Sequence, residues 1–194
     1  MPGGHETSEE IEHAGHSNRG IALLIAILAL LLAFASAGGK SAQTHAISEN
    51  IAASDLWAFF QAKGGRATTL RTAAETIALE VPAESNPAVK AAKEKQIAEW
   101  QKTAARYDSE PETNEGRKEL AARAKEAEEQ RDLGMARYHH FELAGAALEI
   151  GIVLASATII TGMAILAWIA GGLGLIGIVF MGIALLAPHS VHLF

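Results

Sequence analysis

The chain has 194 residues and a net charge of −6, with acidic and basic residues mixed along its middle and no basic patch, which argues against a nucleic-acid partner. Cys is absent, which excludes disulfides, thiol catalysis and Cys-based zinc sites. The hydrophobic content of 49% is ordinary for a globular protein, but it is sharply segregated, because fifteen of the sixteen Lys and Arg lie between Lys40 and Arg137 and the apolar runs lie toward the ends.

Residues 1–18 are polar and hold four Glu and three His: His5, His13 and His16. So polar a segment cannot bury a core and is expected to be a mobile tail. His13 and His16 are three apart, the spacing of one helical face, but nothing fixes ligands in space there, so no metal is expected.

Gly20–Ala37 (GIALLIAILALLLAFASA) is uncharged and close to the roughly 20 residues that cross a ~30 Å hydrocarbon core. Ala35-Ser36-Ala37 fits a signal-peptidase pattern. The acidic tail before it, with Arg19 as its one basic residue, favours a retained transmembrane helix over residues 19–38. Ala22, Ala26, Ala29, Ala33 and Ala37 form a small-residue stripe on which another helix could pack.

A soluble helical domain is expected over residues 40–141. Its first helix, 40–81, is read from Ile47, Ile51, Trp57, Phe60, Leu70 and Ile77, with Gly64-Gly65 as an interruption. Val81-Pro82 should end it, and Asn86-Pro87 should open the next. In the second helix, Ala88–Tyr107, the residues Ile97, Trp100, Ala104 and Tyr107 step by three and four like the seam of a coiled coil. Asp108–Gly116 reads as a turn. From Arg117 onward Leu120, Ala124, Ala127, Arg131, Gly134, Tyr138 and Phe141 alternate by four and three. An antiparallel hairpin of Ala88–Tyr107 against Arg117–Phe141 is the expected pairing.

Two further spans are expected, over 142–162 and 163–187, separated near Thr161-Gly162-Met163, with a short tail at 188–194. Ala147, Gly151 and Ala155 give the first a small-residue face. Tyr138, His139, His140 and Phe141 read as interfacial residues at its entry. In the last span, Gly172, Gly174 and Gly177 match G-x-G-x-x-G, but no strand precedes them and no acid follows, so close helix packing is their expected use. Glu149 stands two turns inside the apolar stretch, on the same side as Glu142. No Lys or Arg in its span can pair with it, which leaves a neutral carboxyl, a hydrogen bond to a hydroxyl such as that of Ser156, or a wet path between protomers. A carboxyl met by headgroup water near the interface is an equally plain reading.

The block Ala53-Ser54-Asp55-Leu56-Trp57-Ala58-Phe59-Phe60-Gln61-Ala62-Lys63 resembles a pattern of the DUF4337 family of uncharacterised bacterial membrane proteins. The order of tail, span, helical segment and two closing spans is similar too. The resemblance implies this layout and carries no activity with it. Asp55, Trp57, Phe59, Phe60, Gln61 and Lys63 are therefore packing or interaction candidates, and core packing is the plainer role for the aromatic ones. Glu142 and Glu149 are the intramembrane carboxylate candidates.

The expected fold is all-α: three transmembrane helices and an elongated helical-hairpin or coiled-coil soluble domain. The expected role is that of a structural or interaction protein of the inner cell membrane, with the lipid bilayer, further copies of itself and an unknown protein as partners. The alternative is an oligomeric ion- or proton-conducting protein using Glu149. No enzyme activity and no cofactor are expected, because the soluble part has no nucleophile–base pair, ordered metal cluster or phosphate loop. Lys40, Arg123, Lys125, Arg131 and Arg137 flank the spans on the domain side, which favours a cytoplasmic domain.

Overall fold

A computed structural model describes residues 4–189, with side chains described from Arg19 onward. The expected mobile tail at 1–18 is helical from Gly4 on, as the start of α1, while residues 1–3, the side chains before Arg19 (the three His among them) and residues 190–194 lie outside what is described. The described residues form four α-helices and no strand: α1 (Gly4–Glu80), α2 (Pro87–Asp108), α3 (Arg117–Thr161) and α4 (Ala164–Leu186), with a 3-10 turn at Val81–Ala83. Stretches of α1, α3 and α4 are long and apolar enough to cross a membrane.

The first expected span and the helix after it are one uninterrupted helix. Gly38-Gly39 serves close approach instead of a break: a Cβ on Gly38 would lie 2.6 Å from the Phe141 ring, and one on Gly39 would lie 3.3 Å from Phe141 Cβ. Gly64-Gly65 does not interrupt α1 either, and their carbonyls accept hydrogen bonds from the Thr68 and Thr69 hydroxyls, each 3.0 Å. The helix stops at Glu80, before Val81-Pro82, as expected. Asn86 then caps α2: its side chain accepts from Ala88 N at 3.0 Å, with Pro87 in the first turn. At the far end of α3, Gly162 takes φ +70° and its N–H returns to Thr158 O at 2.9 Å, which closes the helix.

The buried line along α1 is not the one drawn through Ile47 and Ile51, which are 55% and 56% exposed. It runs through Ala35, Gly39, Ala42, Ala46, Ala53, Lys63, Ala67 and Ala74, with Phe60, Leu70 and Ile77 half-buried in the same phase. Large side chains misled the reading because alanine, by its small size, sits where helices come closest. On α3 the expected seam holds: Leu120, Ala124, Ala127, Gly134 and Phe141 are buried, and the phase continues through Ala144, Leu148, Gly151 and Ala155.

The chain divides into two compact units: one runs through Ala46 and resumes at Asp132, and the other is Ile47–Arg131. In the first, α1 and α3 are antiparallel: Gly134 meets Ala42 and Ala46, Gly38 meets Phe141, and Gly151 meets Leu28. α4 folds back on both, with Gly174 against Leu28 and Gly177 against Leu148 and the Ala144 carbonyl. Two of the three glycines of the G-x-G-x-x-G match thus serve close packing. The core gathers Leu28, Ala35, Phe141, Ala144, Leu148, Ala155, Ala170 and Ala184. Many large apolar side chains remain outside it, among them Phe34, Val153, Trp168 and Leu175.

In the second unit the expected hairpin of α2 against α3 is not the pairing. Both helices lie on α1. Lys93 of α2 binds Glu80 at 3.1 Å, and Asp108 at the end of α2 binds Arg71. Arg117 of α3 covers the Phe60 ring at 4.6 Å, and Glu128 accepts from Trp57 at 2.9 Å. Along α2, Lys93 meets Glu80, Asp108 meets Arg71 and Tyr107 meets Lys63, and along α3, Arg117 meets Phe60 and Gly64 and Glu128 meets Trp57. The two therefore follow one another along α1, each antiparallel to it. The physical reason is length: α2 has 22 residues and covers only part of the α1 stretch that must be buried.

Candidate functional site

Two places gather the residues singled out from sequence. In the second unit the centre is Lys63, which is 4% exposed. Its heptad phase aims it at the point where α2 ends and α3 begins. The ammonium lies 3.5 Å from Glu110 and 3.5 Å from Glu115, over the rings of Phe59 at 5.1 Å and Tyr107 at 5.7 Å. A buried cation needs such company, because desolvation without a partner is prohibitive. Next to it, Trp57 and Phe60 meet edge to face with centroids 5.4 Å apart. Arg117 joins Phe60 to Asp108 at 3.3 Å.

The loop between α2 and α3 is closed by Glu119. Its carboxylate accepts from Glu110 N at 3.0 Å and from the Ser109 hydroxyl at 2.8 Å. The Glu110 N–H first, and the Ser109 hydroxyl second, hold this carboxyl below the usual glutamate range. Gly116 begins the helix, with Leu120 N on its carbonyl at 2.8 Å, and any Cβ there would strike Ser109, Glu110 and Glu119. Asp55 and Gln61 are exposed, and Phe59 is 36% exposed. The block thus splits: Trp57, Phe60 and Lys63 build the node, Asp55 and Gln61 face outward, and Phe59 does some of both. Arg71, Asp108, Glu110, Glu115, Arg117 and Glu119 were not anticipated as members. The signal that could have found the node is the step 60, 63, 67, which puts a lysine into an alanine line.

In the first unit, Glu142 and Glu149 line one open cleft of about 480 Å³ between α1 and α3. Its α1 wall carries Ser36, Gly39, Lys40 and Gln43, and its α3 wall adds Tyr138, Phe141, Gly145 and Ala146. Seven residues separate the two Glu, about 10 Å along the helix. Glu149 has no Lys or Arg in its own span, as expected, and Lys40 stands on the opposite wall of the cleft that it lines. The Ser156 hydroxyl does not reach Glu149. It bonds back to Ile152 O at 2.8 Å. Glu142 has His139 Nδ1 at 3.7 Å. Neither the Lys40 ammonium nor the Glu149 carboxylate has a hydrogen bond or ion pair among the described residues.

His140 departs from its expected interfacial place. It is 1% exposed, its Nε2–H donates to Pro188 O at 3.1 Å, and its ring stacks on Phe180 at 6.2 Å. His139 and His140 point to different sides of α3, as adjacent helical residues must.

No curated protein and no solved structure matches this chain. One family model does, described as a domain of unknown function, and it covers residues 17–187. That range takes in α2, α3, α4, both units' packing surfaces and the Lys63 node, and the chain belongs to the DUF4337 family.

Proposed function

We propose that this is a non-enzymatic, membrane-anchored interaction protein that crosses the bilayer three times and self-associates along α1. Its cytoplasmic part is the helical unit around Lys63, and the membrane is the inner cell membrane. The observation that carries the reading is an apolar pair left out of the core of the helical unit: Ile47 and Ile51, one turn apart on α1 and each more than half exposed. Burying an exposed isoleucine is worth roughly 1.5–3 kcal/mol, so a second copy covering this pair on both protomers gains appreciably. The alanine stripe Ala22, Ala26, Ala29, Ala33 and Ala37 is exposed on the same helix and supports a close helix–helix contact within the apolar stretch. The seam of α3, by contrast, is already covered by α1 in its own chain and lends no support to self-association. The support is for two coiled-coil lines on α1, one used inside the chain and one free.

The test is the mass of the detergent-solubilised protein by light scattering. The wild type is expected above the monomer mass, and Ile47→Glu with Ile51→Glu is expected to shift it to the monomer. A monomeric wild type at all concentrations overturns self-association. Reporter fusions at residue 110 and at the C-terminus test the cytoplasmic side. Conduction through Glu149 has less support, because the cleft that Glu149 lines has no wall residue deeper along α3.

A further inference from the structure

We infer that the cleft between α1 and α3 binds a phospholipid whose headgroup carries a primary amine, the phosphate on Lys40 and the ammonium on one of the two carboxylates of α3. The inference rests on the membrane reading above and goes beyond it by naming a ligand. Three observations carry it.

First, the two walls are opposite in charge and do not neutralise each other. Lys40 lies on α1 and Glu142 and Glu149 on α3, in one cleft of about 480 Å³, and neither the Lys40 ammonium nor the Glu149 carboxylate has a partner among the described residues. All three side chains are exposed, and charges of both signs facing one concavity offer contacts to a ligand that carries both. Second, the cleft sits where the apolar stretches end. Gly39 packs on Phe141, so Lys40 and Glu142 stand at one level, with the charged part of the sequence on one side and Gly20–Ala37 on the other. That is the level at which a bilayer presents headgroups. Third, the polar rim continues into an apolar floor of Ala35, Gly145 and Ala146, against which an acyl chain can lie. Gly145 leaves this floor open: a Cβ there would have only Leu32 Cδ1 nearby, at 3.8 Å.

A primary ammonium donates hydrogen bonds to a carboxylate, and a quaternary amine cannot. Lys40 serves any phosphate as a point charge. The expected order of retention is therefore phosphatidylethanolamine first, then phosphatidylcholine, then phosphatidylglycerol.

The full chain is purified in detergent, supplied with one of these three lipids at a time, and the bound lipid is counted by native mass spectrometry. Retention of phosphatidylethanolamine about tenfold above the other two is expected, the scale of one or two charge-assisted hydrogen bonds. Glu142→Gln combined with Glu149→Gln should erase its lead over phosphatidylcholine, and Lys40→Gln should weaken all three. Gly145→Val keeps every charge, fills the floor and should also lower retention. Equal retention of the three lipids by the wild type overturns the inference without any variant. Displacement of the lipid by an equal concentration of phosphoethanolamine, the headgroup without its chains, overturns the lipid as ligand and leaves a soluble zwitterion. If the chain is not recovered in the membrane fraction, the membrane reading itself fails. Recovery there with no headgroup preference sinks only this inference.

Discussion

In the unit built from α4 and the apolar parts of α1 and α3, Leu28 meets Gly151 and Gly174, Leu148 meets Gly177, and Phe141 meets Gly38. In the unit Ile47–Arg131, Ala53, Ala67, Ala74, Leu120 and Ala124 supply the close contacts, and a lysine, an arginine and several carboxylates tie the ends. Both use small residues to bring helices together. They differ in what fastens them. Where the sequence is apolar all round, glycine facing a large side chain gives the register, the device suited to stretches long and apolar enough to cross a membrane. Where one face meets water, an alanine line alone would bury little area. The charged and aromatic node then sets where α2 ends and α3 begins.

The largest effect should come from breaking the node at its centre. Lys63→Ala leaves Glu115 without its cation and the mostly buried Glu110 with Arg106 alone, at 3.7 Å. Removing one partner of a buried pair costs 3–5 kcal/mol, and the half-exposed Glu115 lowers the expectation to about 3 kcal/mol. Thermal unfolding in detergent, followed by circular dichroism, reads it as a fall in midpoint. An unchanged midpoint would make the node an ornament of the surface.

The complementary break is in the other unit. Gly177→Val places a branched side chain where even a Cβ would lie 2.8 Å from Leu148 Cγ and 3.3 Å from the Ala144 carbonyl. Overpacking of this kind costs about 1–3 kcal/mol. Gly182→Val is the control on the same helix, because nothing stands within 4 Å of a Cβ there. If the two valines lower the midpoint alike, close glycine packing is not what holds α4.

These contrasts show which features could be read from residues in order. Helix ends were legible, because Pro82, Asn86-Pro87 and Gly162 each impose a local backbone rule. The three apolar stretches were legible from length and hydropathy. The α3 seam was legible because it keeps one strict phase from Leu120 to Phe141. The α1 seam was hidden, since Ala42, Ala46, Ala53, Ala67 and Ala74 carry little hydrophobic signal and the exposed Ile47 and Ile51 carry much. The partner of α2 was hidden too, because a short turn at Asp108–Gly116 suggests a hairpin, and only contacts along α1 show otherwise. Of the two sites, Glu142 and Glu149 were found by their oddity. Lys40 was read only as a flanking charge, because its place opposite them depends on the pairing of α1 with α3.

A smaller change separates the aromatic part of the node from its charged part. Trp57→Phe keeps a ring against Phe60 and removes the indole N–H that Glu128 accepts at 2.9 Å. A hydrogen bond to a charged group is worth about 1.5–3 kcal/mol, and partial exposure of this one puts the expected loss near the lower figure. Trp57→Ala should lose more, because the ring contact goes as well. If Trp57→Ala unfolds no earlier than the wild type, the block Ala53–Lys63 is a binding surface and not part of the packing.

The smallest expected effect is one of pH, and it belongs to the loop before α3. The Glu119 carboxyl is held below its ordinary value, chiefly by the Glu110 N–H and then by the Ser109 hydroxyl. A carboxyl with a folded pKa below its unfolded one contributes stability that is complete above the unfolded value, near 4.3, and is lost as pH falls through the folded value. Protonation takes the charge from both bonds and leaves one full acceptor oxygen for the two donors, so the loop should loosen in acid while neutral and mildly alkaline solutions leave it closed. Amide exchange at Glu110 reads this locally: protection should fall as the pH drops below the ordinary glutamate range, after correction for the intrinsic exchange rate. Glu119→Gln should weaken the protection at neutral pH and remove its acid dependence, because the amide keeps one acceptor oxygen and carries no charge to lose. Protection at Glu110 that follows pH equally in wild type and Glu119→Gln would assign the closure to the Lys63 carboxylates, and the two fastenings of this unit would then be one.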